Sequence, residues 1–506
     1  MDLPIVQAIP SSGPRRAALR VHGQFWTPDW VADAMIAWCL GRADHIFDPS
    51  VGAGAFFRAA KRLARGQGKA LDLFGAEIDP AQIVIGCELG LLPNDYKQVA
   101  VADFMKLELG RKYSAIVGNP PYVRHHRFSA AYKAELRSFG FRMTGSELDG
   151  RAGLHVFFLI KALTLLEDGG RLAFIVPADV CEGRFASKLW AWIGRHFCVE
   201  GAVTFSSEAS PFPGVDTNPI ILFIRKSSPS ESIWWARVNR PDTSELQEWC
   251  DGGFGPWSSD ALEVVERKTD EAVKTGLSRR KPTDECHGSV VLGDLFKVMR
   301  GVATGDNEFF FMNRSQMAAR ELPPDAFVRA IGRTRDHTGP FLTQEDLDRL
   351  DARGRPTYLL SLGRHSVNTL DRPLQDYLKI GTEKGLPNRP LIMQRSPWYR
   401  MEHRTPPAWL FAYLGRRNCR FTRNLAGAIP LTGFLCVYPR AELSIDLEAA
   451  TNALNDERTI ANLVFVAKSY GGGALKVEPR NLERLPIPEA VLKDYGLATS
   501  ANGRLI

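Results

Sequence analysis

At 506 residues the chain is longer than one typical domain, so two or three are expected. A hydrophobic share of 44% and an aromatic share of 10% exclude a disordered chain and predict well-formed cores. The net charge of +7 suits a polyanionic partner without requiring one, and the eight scattered cysteines form no C-x-x-C pair, which argues against both a zinc site and a disulfide framework.

Residues 1–22 read as a basic N-terminal arm; with no secretory signal and no apolar run of membrane-spanning length, a soluble cytoplasmic protein is expected. Phe25-Trp26-Thr27-Pro28 leads into an amphipathic helix, with Thr27 as N-cap, Pro28 as first helical residue and Val31, Ala34, Met35 and Trp38 on the buried face. Strands and helices then alternate. Strands are expected at 45–47, 71–76, 99–101, 113–117, 171–176 and 220–224, with helices at 55–63 and 154–166. This alternation predicts a doubly wound, mainly parallel α/β sheet whose ligands sit at the carboxyl ends of its strands.

The polar stretch Ser227-Ser228-Pro229-Ser230 reads as a break, and residues 275–289 as a second. Beyond Val290 the rhythm gives way to short segments dense in Arg, Pro and aromatics. The expected organisation is a catalytic α/β domain over 23–228, a connector over 229–289 and an α+β domain over 290–506.

The most informative motif is Asn119-Pro120-Pro121-Tyr122, which ends the apolar run 114–118. Proline fixes φ and lacks an N–H, so a strand stopping at Pro-Pro leaves backbone carbonyls that no neighbouring strand takes up. With the Asn119 side-chain oxygen they form an acceptor-rich clamp for an exocyclic amine, and Tyr122 adds a flat face for a planar ring. The same tetrapeptide is also an ordinary strand-to-loop exit.

Asp48-Pro49-Ser50-Val51-Gly52-Ala53-Gly54 follows the first strand and opens a helix. Gly52 and Gly54 let backbone pass close to a ligand, but Phe57 stands where a dinucleotide turn has its third glycine, which speaks against NAD. Asp48 would repel a pyrophosphate and attract an ammonium. Glu77, 23 residues beyond Gly54, suits the hydroxyls of a ribose; Asp103 suits an adenine amino group, with Phe104 under the ring. Together these describe S-adenosylmethionine.

In this order the motifs resemble those of the gamma-class, TaqI-type DNA adenine-N6 methyltransferases of type II restriction–modification systems. Gly169-Gly170 with the strand up to Pro177, Pro211-Phe212-Pro213-Gly214, Tyr470-Gly471-Gly472-Gly473 and Leu485-Pro486-Ile487-Pro488 also match. The resemblance implies a class I, Rossmann-like methyltransferase fold followed by a DNA target-recognition domain. Thr27 would bind the methionine carboxylate. Asp48, Pro49, Gly52 and Gly54 would flank the amino-acid end of the cofactor, Glu77 would hold its ribose, and Asp103 with Phe104 its adenine. Asn119 and the Pro120 carbonyl would grip the target amine, Pro121 belonging to the same catalytic motif, while Tyr122 and Phe212 would sandwich an adenine flipped out of double-stranded DNA.

No metal is expected, since the adjacent His125 and His126 point different ways and lack a spaced carboxylate; with Arg124 and Arg127 they read as contacts to DNA phosphates, as a cap on the pocket or equally as a plain surface loop. Arg395, Trp398, Tyr399, Arg417, Arg420 and Arg423 are candidates for touching DNA. A monomer acting beside a separate cognate endonuclease is expected, because no spaced Asp…Glu-x-Lys nuclease site is found. Methylation of a protein glutamine amide or an RNA base, or an inactive DNA-binding relative, are the alternatives.

Overall fold

The computed structural model describes residues 26–497, apart from 42, 124, 183–184, 214–216, 280–289, 364, 416–418 and 471–473. The N-terminal arm therefore lies outside the described residues. The chain divides into two compact units near residue 281.

The apolar runs expected as strands all lie in one sheet of the first unit. Its strands are β1 (His45–Asp48), β2 (Asp72–Glu77), β3 (Gln98–Val101), β4 (Tyr113–Gly118), β5 (Leu166–Pro177), β6 (Cys198–Phe205), β7 (Pro219–Arg225), β8 (Ser232–Val238) and β9 (Leu262–Lys268). Their spatial order is β3-β2-β1-β4-β5-β7-β6-β8-β9. Strands β1 to β5 are parallel, β7 runs antiparallel between β5 and β6, β8 is parallel to β6, and β9 closes the edge antiparallel.

Alternating residues of the central strands feed two cores. Phe47, Ile116, Leu172 and Phe174 face one side, and Ile46, Ala115, Val117, Ala173 and Ile175 the other. Helix α1 (Asp29–Leu40) and helix α2 (Ala55–Gly66) supply the second core; α3 (Ala130–Thr144), α4 (Leu154–Thr164) and α5 (Ala186–His196) supply the first. Burial on both faces explains why these strands read as unbroken apolar runs. The sheet is thus doubly wound, and its direction reverses between β1 and β4, which opens a crevice at their carboxyl ends.

Three differences from the sequence reading have physical causes. The N-cap of α1 is Pro28 rather than Thr27, and no side chain caps it; the Thr27 hydroxyl is engaged elsewhere. The helix expected over 154–166 ends at Thr164 and the strand expected at 171–176 already starts at Leu166, so Gly169 and Gly170 lie within strand β5. The segment 229–289 is not a simple connector, because β8 and β9 extend the sheet. Ile233, Trp235 and Leu262 are at most 1% exposed, and the Trp235 indole donates to the Leu277 carbonyl at 2.8 Å.

The second unit is α+β, as expected. Five strands form its largest sheet in the order Phe296–Arg300, Phe434–Pro439, Trp409–Ala412, Phe421–Asn424 and Phe341–Leu342. The first four are joined antiparallel and the last is parallel to its neighbour. Smaller sheets and several short helices surround separate apolar clusters built on Trp409, Phe310 and Leu410.

Candidate active site

Asp48 ends β1, Glu77 ends β2, Asp103 lies just past β3, and Asn119 follows β4. Register pairing sets the first three strand ends side by side, with Asp48 opposite Gly75 and Glu77 opposite Val101. One line of strand ends therefore carries all four polar residues.

The turn after β1 depends on positive φ at Gly52 (54°) and Gly54 (77°), conformations that disfavour side chains. Phe57 is fully buried, and the close approach a third glycine would provide occurs on β2 instead. A Cβ at Gly75 would lie 2.3 Å from Val51 Cγ2 and 2.7 Å from the Asp48 carbonyl oxygen. The Gly52 amide donates to Glu77 Oε2 at 2.7 Å, and the Asp79 amide to Oε1 at 2.9 Å. Burial pushes the Glu77 carboxyl up while these amides pull it back.

Asp48 has no exposed surface. Its Oδ1 accepts from the Ser50 amide at 2.9 Å, and Oδ2 has no hydrogen-bond partner among the described residues. Burial, with a smaller push from Glu77, raises its carboxyl to about 8. A buried carboxyl with a vacant acceptor, and with no cation facing it among the described residues, suits a ligand that brings a positive charge.

Asp103 Oδ1 caps its own turn through the Met105 amide at 2.9 Å, and Oδ2 accepts from the Tyr132 hydroxyl at 3.3 Å. Phe104 is 2% exposed and packs on Phe158 at 5.0 Å and Phe47 at 5.9 Å. Its ring belongs to the core in this arrangement and offers no open face, contrary to the expectation of a stacking platform. Two apolar side chains are exposed at this edge: Ile78, next to Glu77, at 67%, and Val101, opposite Glu77 at the end of β3, at 56%. The signal for Ile78 was available: an isoleucine directly after the strand-end acid, outside the buried run.

Asn119 Nδ2 donates to Thr27 Oγ1 at 3.2 Å, and its carbonyl accepts from Ser50 Oγ at 3.1 Å. Thr27 thus sits beside Asn119 and orients its amide. Pro120 is buried and Pro121 half-buried. The Tyr122 hydroxyl donates to the Ile175 carbonyl at 3.2 Å, and burial pushes the phenol well up.

Tyr122 and Phe212 come together, but not as parallel plates. Their centroids are 6.3 Å apart at 81°, and Phe212 is fully buried. A base between two faces needs those faces roughly parallel, so the expected sandwich is not formed here.

Behind Tyr122 lies a residue the motifs did not single out. His155, 4% exposed, meets the Tyr122 ring edge-to-face at 6.2 Å, and its Nε2 lies 3.0 Å from Asp179 Oδ1. Lys161, on the same helix α4, donates to the carbonyls of Phe104 (2.5 Å), Met105 (3.1 Å) and Leu107 (2.7 Å). Neither is legible in sequence, since both sit inside the apolar run of α4.

His125 and Arg127 lie in a short helical turn after the motif; Arg124 and the His126 side chain are outside the described residues. Among the described residues no group of three or more His, Cys, Asp or Glu is placed to hold a metal.

Several DNA candidates of the second unit are tied into its fold. Tyr399 is 1% exposed and donates to the His365 carbonyl at 2.5 Å. Trp398 packs on Phe309 and Phe310, Arg395 donates to the Ala303 carbonyl at 2.7 Å, and Arg423 to the Ala408 carbonyl at 2.8 Å. Arg420 is half-buried, and Arg417 lies outside the described residues. Arg/aromatic density here builds the unit: the guanidinium planes cap carbonyls and lie over rings.

Residues 91–212 match the family model for the Eco57I restriction-modification methylase, and residues 282–501 that for the C-terminal domain of the type II methyltransferase M.Eco57I; together they cover more than half of the chain. The chain belongs to the Eco57I restriction–modification methylases. Among relatives of this methylase, the type II methyltransferase M.AccI of Acinetobacter calcoaceticus is 24% identical, over 94% of this chain and 86% of its own. M.XamI of Xanthomonas campestris pv. amaranthicola is 25% identical, over 92% and 85%. The solved structure of the type IIG restriction endonuclease BpuSI aligns with 95% of the methylase and 62% of its own chain, at 16% identity and a TM-score of 0.48. The strand order β3-β2-β1-β4-β5-β7-β6, with β7 reversed, is the class I methyltransferase fold the motifs implied. Among the described residues no helix is long and apolar enough to cross a membrane.

Proposed function

We propose that this methylase transfers a methyl group from S-adenosylmethionine to the N6 amino group of an adenine flipped out of double-stranded DNA. The observation that carries the reading is the juxtaposition of Asn119, held by Thr27 and followed by Pro120-Pro121-Tyr122, with the vacant buried acceptor of Asp48 across the crevice. Asp48 fits the ammonium of the methionine tail, Glu77 the ribose hydroxyls, Asp103 the adenine amine and Ile78 one apolar wall. Bound there, the cofactor supplies an electrophilic methyl on a sulfonium.

The chain's own residues supply alignment. An adenine within the duplex hides its amine, so the nucleotide must leave the stack at a cost of a few kcal/mol; stacking on an aromatic ring returns about 1–3 kcal/mol. Tyr122 offers that ring, already held by the Ile175 carbonyl. Phe212 joins as a second face only after rotating from its edge-on position. Asn119 Oδ1 and the Pro120 carbonyl each accept one N–H of the amine, which draws the nitrogen towards tetrahedral geometry and frees its lone pair for in-line attack. The surplus proton leaves after transfer, so no strong general base is needed.

In this reading the second unit selects the DNA site, and a separate endonuclease is the partner against which methylation protects. The methylase acts as a cytoplasmic monomer. Methylome sequencing of a host expressing the gene tests the reading, with N6-methyladenine in one defined sequence context as the expected result. Asn119→Ala should remove that mark by lowering kcat about 10²–10³-fold, with little change in cofactor affinity. Modified cytosine, or unmodified DNA with methylated protein or RNA, would overturn it.

A further inference from the structure

Helix α4 carries two buried polar side chains that the transfer chemistry does not use, and each leads to a different part of the site. Lys161 points one way. Its ammonium is held by three carbonyls of the segment 104–107, directly after Asp103. An ammonium has three donors, so these contacts match its full capacity. The segment cannot shift without breaking charge-assisted bonds, and Asp103 caps its first turn through the Met105 amide.

His155 points the other way. Its ring and that of Tyr122 meet edge-to-face, its Nε2 is fixed by Asp179, and the Leu154 amide donates to the Val123 carbonyl at 3.0 Å. Gly153 is confined by the same ring: a Cβ there would lie 2.7 Å from His155 Cε1. Tyr122 is thus held by its hydroxyl on β5 and by an imidazole ring that Asp179 keeps from turning freely.

We propose that α4 is a shared brace in which Lys161 positions the cofactor-edge turn at Asp103 and the His155–Asp179 pair positions Tyr122. Both are positioning residues: they act through Asp103 and Tyr122. This division of labour rests on the proposed methyl transfer. Because the two contacts leave one helix in different directions, they should fail separately.

The test measures S-adenosylmethionine affinity by calorimetry and the single-turnover rate of methyl transfer to unmodified genomic DNA at saturating cofactor. Lys161→Met should weaken cofactor binding at least about tenfold while the saturated rate stays within about twofold, and Lys161→Arg should recover part of the affinity. His155→Ala should leave cofactor affinity within about twofold and lower the saturated rate about tenfold; Asp179→Asn should move the rate in the same direction. If Lys161→Met does not fold, Lys161→Arg alone must still weaken cofactor binding more than it slows the saturated rate. Parallel loss of both readouts in either variant, or no change in either, would overturn the brace. An unsubstituted protein that neither binds S-adenosylmethionine nor methylates DNA would overturn the functional reading, and the brace with it.

Discussion

In the proposed function, Asp48 is the residue on which cofactor binding turns. Its carboxyl is raised to about 8 by burial, so it is mainly protonated at pH 7 when no cation faces it. A bound ammonium favours the ionised form, so binding near pH 7 should release a proton, and affinity should rise as pH increases towards about 8. The ligand's own α-amino group begins to lose its proton there, which caps the rise. Calorimetry at pH 7 in buffers of different ionisation enthalpy should count that proton, and Asp48→Asn should release none. Stability of the cofactor-free protein moves the opposite way: the neutral carboxyl is favoured in the folded chain, so ionisation as pH climbs from the unfolded value towards about 8 lowers stability. A melting temperature of the cofactor-free protein that rises across that window, and rises less in Asp48→Asn, would contradict the assignment. At the same scale, motif order pointed to Asp48, Glu77 and Asn119, because strand-end position is legible in sequence. It could not show that Phe104 is core or that Phe212 stands edge-on, since aromatic residues in a motif and in a core look alike.

At the scale of elements, the segment 229–281 matters most. Ser227-Ser228-Pro229-Ser230 has a linker's composition, yet the next strand, β8, pairs with β6 and buries Trp235. A polar turn between two strands and a polar linker between two domains share the same residues; only the pairing of the downstream strand tells them apart. Truncation after residue 230 should therefore expose the edge of β6 and its apolar neighbours, giving aggregated protein. Truncation after residue 279 keeps β8, β9 and the Trp235–Leu277 bond, and should give a cooperative thermal transition and cofactor binding. Equal solubility and cofactor binding in the two truncations would show that β8 and β9 are dispensable.

The whole molecule consists of two separately cored units. If the second unit selects the DNA site, the fragment ending at residue 279 should bind cofactor yet lose sequence-selective methylation. DNA binding by the full chain should weaken steeply with salt, with log K falling linearly against log salt as counterions are displaced from phosphates. A flat salt response, or full selectivity in the fragment, would remove DNA reading from the second unit. The surface that reads DNA was not legible, because the sequence holds many arginines without saying which ones fold back onto carbonyls, as Arg395 and Arg423 do.

Sequence by itself determined the doubly wound sheet, the line of polar residues at its strand ends and the family to which they belong. Local rules suffice there: apolar runs buried on both faces make parallel strands, and glycine, proline and acid at their ends mark the ligand edge. Tertiary structure alone decided that Phe104 and Phe212 are buried, that Arg395 and Arg423 fold back onto carbonyls, where the first unit ends, and that His155 packs on Tyr122 and Lys161 on the carbonyls after Asp103. Each depends on what a side chain meets across the fold, and residues far apart in the chain leave no local pattern of that meeting.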